Sequence, residues 1–133
     1  MRLAPILVLL GGLAAGRQDD WRPVALTRLD PPPDSAIAAG VLLTPEPGAL
    51  VIGLAFENPC GQRARAGYQW RGAVIKLRLT GPSPAKRCRG TPAPEAYEAR
   101  IGGLKPKRYQ VIVLTEDPQQ RWRPWKAAVA TVP

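Results

Sequence analysis

Along much of this chain, apolar side chains recur at every second position. Leu50, Ile52, Leu54 and Phe56 do so, as do Ala73, Ile75, Leu77 and Leu79, with Val74, Lys76 and Arg78 between them. Tyr97, Ala99 and Ile101 alternate with Glu98 and Arg100; Tyr109, Val111 and Val113 alternate with Gln110, Ile112 and Leu114. A period of two is the strand period, because successive side chains leave a pleated strand on opposite faces. The Ala73–Leu79 run predicts one buried face and one that holds Lys76 and Arg78 in water. Leu50–Phe56 and Tyr109–Leu114 are apolar on both sides, which predicts strands in the middle of a sheet. Weaker alternation at Val24–Leu29, Val41–Thr44 and Ala127–Val132 brings the expected total to about seven strands. A helical turn competes only at Pro94–Arg100, where good helix formers follow a proline.

Proline clusters separate these runs: Pro31 to Pro33, Pro45 with Pro47, Pro82 with Pro84, and Pro92 with Pro94. Proline interrupts helices and sheet interiors, so the clusters mark connections. A chain of 133 residues has room for one domain. Short strands joined by turn-rich segments predict an all-β fold, an antiparallel β-sandwich. No internal repeat is visible.

The first residues, MRLAPILVLLGGLAAG, place one positive charge at Arg2 before an uncharged stretch from Leu3 to Ala15 that closes on small residues. That is the layout of a secretory signal peptide. The stretch is shorter than the roughly 20 residues that span a bilayer. The expectation is a signal peptide at 1–16 and a single domain at 17–133, with 17–40 partly extended, secreted or periplasmic. A retained membrane anchor is the alternative.

Export bears on the two cysteines, since an isolated pair in an oxidising compartment is usually a structural bridge. A Cys60–Cys88 disulfide would close a loop of about 28 residues, which chain-entropy reasoning values at roughly 3–4 kcal/mol. Free thiols are the alternative. Two thiols without histidine make a poor zinc site, and no metal or cofactor is expected.

Leu104, Pro106, Tyr109, Val111 and Val113, preceded by the alternating Tyr97–Ile101, resemble the strand–corner–strand passage of fibronectin type III and related immunoglobulin-like domains. The resemblance spans Tyr97 to Val113 and implies an immunoglobulin-like β-sandwich. It also implies that Tyr109 packs into the core with its hydroxyl bonded to the corner backbone. Leu104 would be the plug beneath it, and Gly102 and Gly103 the flexible entry. No binding function follows from a shared sandwich.

Catalytic chemistry finds little to stand on. The absence of histidine removes the commonest general base. Ser35 and Ser83 lie in proline-rich stretches without a nucleophile elbow. Glu57 and Glu95 could work as a pair only if the fold brought them face to face. The expectation is a protein that is not an enzyme.

Charge is the stronger pointer. The chain carries 19 basic and 10 acidic side chains, a net +9. Between Cys60 and Arg108 there are twelve basic residues against Glu95 and Glu98, whereas Met1–Pro59 holds four basic and six acidic. A field so lopsided attracts polyanions. Two stretches interleave cations with rings: Arg63, Arg65, Trp70 and Arg71, and Arg121, Trp122, Arg123, Trp125 and Lys126. Arginine beside tryptophan can hold an acidic group while the ring stacks on a sugar, a base or a lipid interface. The structural alternative is that the basic residues serve solubility and that Trp122 or Trp125 covers one end of the core. Two readings follow: a non-catalytic recognition module for a protein partner at the cell envelope, or a cationic protein that binds anionic polysaccharide, lipid head groups or nucleic acid.

Overall fold

The structure, a computed structural model, describes residues 20–58, 61–81 and 93–133. The expected signal peptide at 1–16 and the expected Cys60–Cys88 bridge lie outside the described residues. The described chain is mostly β, in two sheets. Arg22–Val24 (β1) and Thr27–Leu29 (β2) precede a short helix, Asp34–Ala39 (α1). There follow Val41–Glu46 (β3), Ala49–Glu57 (β4), Arg65–Arg71 (β5) and Val74–Thr80 (β6). Pro94–Gly102 (β7), Lys107–Glu116 (β8) and Trp122–Val132 (β9) complete the chain.

One sheet has five strands in the order β1-β5-β6-β8-β9, and the other has four in the order β2-β7-β4-β3. The apolar positions of the alternating runs meet in a shared core. Leu50, Ile52, Leu54 and Phe56 of the four-stranded sheet pack with Ile75, Leu77, Leu79, Tyr109, Val111 and Val113 of the five-stranded one. Both strands that are apolar on two sides are interior: β4 lies between β7 and β3, and β8 between β6 and β9.

Among the described residues nine strands are present where about seven were expected, for two reasons. The Val24–Leu29 run is two strands, because the chain crosses at Ala25 and Leu26 from β5 of one sheet to β7 of the other. The second addition is β5, whose inward positions, Ala66, Tyr68 and Trp70, alternate with Gly67 and Gln69 too weakly to read as a strand. The fully antiparallel pattern also fails at one ladder. Strands β6 and β8 run parallel, from Val74 beside Gln110 to Leu79 beside Thr115. Between them the chain leaves for the other sheet, runs back as β7 and returns, so it re-enters in its original direction.

Pro94–Arg100 is strand rather than helix: β7 pairs with β4 from Ala49 beside Gly102 to Glu57 beside Pro94. Burial of Ala99 and Ile101 in the core outweighs the helix propensity of that segment. Helix α1 was not anticipated. It lies on the outer side of the four-stranded sheet, where Ala36 packs with Ala55, Ala96 and the half-buried Leu29. Gly40 ends it at φ 76°, with its N–H donating to the Ala36 carbonyl.

At the crossing from β7 to β8, Gly103 takes φ 72° and the Leu104 N–H donates to the Gly48 carbonyl at 3.0 Å. Leu104 is buried, Pro106 is exposed, and the fully buried Tyr109 donates its hydroxyl to the Lys105 carbonyl at 3.0 Å. Among the described residues, no helix is long and apolar enough to cross a membrane.

Candidate anionic-ligand surface

The outer face of the five-stranded sheet follows from the strand period. Ile75, Leu77 and Leu79 face the core, so Val74, Lys76, Arg78 and Thr80 face outward. The same parity puts Arg65, Gly67, Gln69 and Arg71 of β5 outward. On β8 it turns out Arg108, Gln110, Ile112, Leu114 and Glu116. Five cations, Arg65, Arg71, Lys76, Arg78 and Arg108, therefore share a face with one carboxylate, Glu116. The outer side of the four-stranded sheet is different. There Glu46, Glu57 and Glu98 accompany only Arg100, whose Nε lies 3.3 Å from Glu46. Charge is thus segregated between the two outer faces among the described residues.

Arg78 is the centre of the basic face. Its guanidinium carbon lies 4.0 Å from the centroid of the Trp21 ring and 5.0 Å from that of Trp122. The side chain is half-buried, and its Nε is enclosed with no hydrogen-bond partner among the described residues. Contact with two indole π-faces compensates the guanidinium for lost hydration. Trp21 reaches Arg78 because it immediately precedes β1, which pairs with β5 from Arg22 beside Tyr68. Arg78 is flanked on that side by Gly67, which presents no side chain. The expectation that Arg78 stands free in water is corrected: the rings of Trp21 and Trp122 cover much of it.

The two stretches singled out in the sequence come apart. Arg65, Arg71 and Trp122 lie on the basic face. Trp70 points to the inner side, its ring 6.3 Å from that of Tyr109 and its indole N–H donating to the Gly72 carbonyl. Arg63 is exposed beside the join of β1 and β2. Arg121 and Arg123 direct their Nε atoms to Asp117 Oδ2, at 3.4 and 3.2 Å. Trp125, at a bulge opposite Val113 and Leu114, packs against the core, and Lys126 lies by Gly40 at the end of α1. Sequence reasoning missed Trp21 and paired Arg78 only with water, since each depends on partners distant in the chain.

Asp117 closes the β8–β9 turn. Its Oδ1 accepts the backbone N–H groups of Gln119 and Arg121 at 3.0 and 2.8 Å. The Arg121 N–H, with smaller contributions from the Arg123 and Arg121 side chains and the Gln119 N–H, holds its carboxyl below the usual range. Near the same end of the core, Phe56 is paired with Glu95, so Glu57 and Glu95 sit on opposite faces of one sheet. Glu95 accepts from the Tyr97 hydroxyl at 2.7 Å and from Asn58 at 3.2 Å. Among the described residues, no group of acidic, cysteine or histidine side chains is placed to hold a metal ion.

Comparison with known proteins found no matching family model, no matching curated protein and no matching solved structure.

Proposed function

We propose that this protein is a non-catalytic, exported recognition module that binds an anionic polymer on the outer face of its five-stranded sheet. One observation carries the reading: Arg65, Arg71, Lys76, Arg78 and Arg108 share that face with Trp21 and Trp122, while carboxylates gather on the opposite face. A surface on which one sign of charge dominates draws polyanions by long-range attraction and holds them by releasing their counterions. Export is supported by the layout of residues 1–16, and immunoglobulin-like kinship by the Leu104–Tyr109 corner. The parallel β6–β8 ladder makes that kinship a variant topology.

Retention on immobilised heparin tests the reading with net charge held constant. Reversing Arg71 and Lys76 to glutamate should lower the salt needed for elution far more than reversing Arg100 and Lys105, which lie elsewhere. Equal loss from the two double variants would show that net charge alone binds and would overturn the proposal. So would an unretained wild type at low salt.

A further inference from the structure

The ring-and-cation surface contains a recess that narrows the class of polymer. Gln69, Arg71, Val74 and Lys76 line a shallow hollow of about 270 Å³ on the outer face of β5 and β6. Gln69 and Lys76 are directly paired, and so are Arg71 and Val74. The hollow therefore combines one apolar side chain, one neutral amide and two cations within a three-residue span of each strand. Trp21 is outside its lining: its backbone is one residue beyond the Arg22–Tyr68 pair, toward Gln69, and its ring lies against Arg78.

Resting on the polyanion reading, we infer that the ligand is an acidic polysaccharide, a chain of sugar rings bearing carboxylate or sulfate. One acidic ring would sit in the hollow with its anionic group between Arg71 and Lys76. Its hydroxyls would bond the Gln69 amide, and its C–H face would rest on Val74. The next ring would lie on the exposed side of Trp21. One feature favours this over single-stranded nucleic acid. A nucleotide keeps its phosphate apart from its stacking base, whereas an acidic sugar carries anion, hydroxyls and an apolar C–H face on one ring, the combination that Arg71, Lys76, Gln69 and Val74 meet in one hollow. The two tryptophans also hold Arg78 in common, with centroids at most about 9 Å apart because they lie 4.0 and 5.0 Å from one carbon. The ring surfaces turned to Arg78 are thus already occupied, so a ligand ring stacks only on an outer face of either indole.

The test measures binding of purified protein to oligogalacturonate, to heparin oligosaccharide and to oligodeoxythymidylate of matched charge, at several salt concentrations. At least one of the two sugars should bind about tenfold or more tighter than the oligonucleotide, the scale of one well-made stack or bidentate contact. Which sugar binds identifies carboxylate or sulfate as the group held. Gln69→Ala, which removes neither charge nor core contact, should weaken sugar binding severalfold and leave the oligonucleotide unaffected. Trp21→Ala should weaken sugar binding about tenfold without altering its salt dependence, whereas Lys76→Gln should flatten that dependence. Oligonucleotide binding as tight as sugar binding would overturn the inference and leave the polyanion reading intact. Unchanged sugar affinity in Gln69→Ala would do the same, and binding to none of the three would remove both.

Discussion

Tyr109 is fully buried, yet its hydroxyl is not stranded, because the Lys105 carbonyl four residues back accepts it. Tyr109→Phe keeps the ring and leaves that carbonyl short of a partner, so unfolding stability should fall by about 1–2 kcal/mol. An unchanged urea midpoint would show that the bond contributes nothing. Asp117, half-buried at the β8–β9 turn, makes a second prediction. Its carboxyl is held low by the Arg121 N–H first and by neighbouring donors after it. A carboxylate with a depressed folded value contributes order above the ordinary range and loses it as pH falls through the depressed value. Upon acidification the Arg121 amide resonance should therefore shift with a midpoint below that of ordinary carboxylates, and Asp117→Asn should abolish the shift. A midpoint at the ordinary value would refute the turn clasp. Arg78 carries the lesson at this scale. Its alternation with Ile75 and Leu77 put it outward, but the two indoles that cover it come from a segment more than fifty residues before it and one more than forty after it.

At the level of elements, legibility followed contrast between the two faces of a strand. Strands β6 and β7 were readable because inward apolar residues alternate with charged ones, and β4 and β8 because larger apolar side chains recur at every second position. Strand β5 was hidden because Ala66, Gly67 and Gln69 give neither face a distinct character, and its two ladder neighbours supply the missing stabilisation. Helix α1 escaped notice since six residues after a proline triplet form no full amphipathic pattern. Its presence explains why Ala55 and Ala96, on the outer side of their sheet, are nonetheless small and buried. Ala96→Leu should force α1 from its seat and cost about 1–3 kcal/mol by overpacking, while Ala38→Leu on the exposed side of α1 should cost little. Equal urea midpoints for the two variants would mean that the helix does not close over Ala96.

Over the whole molecule, the excess of positive charge between Cys60 and Arg108 was plain in the sequence, but its location was not. Parity distributes the cations of β5, β6 and β8 to one outer face, and ladder order brings those three strands together. The basic residues near the C-terminal tryptophans do not join them, because Asp117 holds Arg121 and Arg123 at the turn and Trp125 turns inward at a bulge. Local alternation, a covalent property of the chain, was enough to determine by itself an all-β protein, most of its strands and which side of each faces the core. Sheet order, the parallel ladder, the meeting of Trp21, Arg78 and Trp122, and the hollow beside them were decided only in three dimensions. They depend on which strands lie next to one another, a choice made by packing of the whole core that no window of sequence contains.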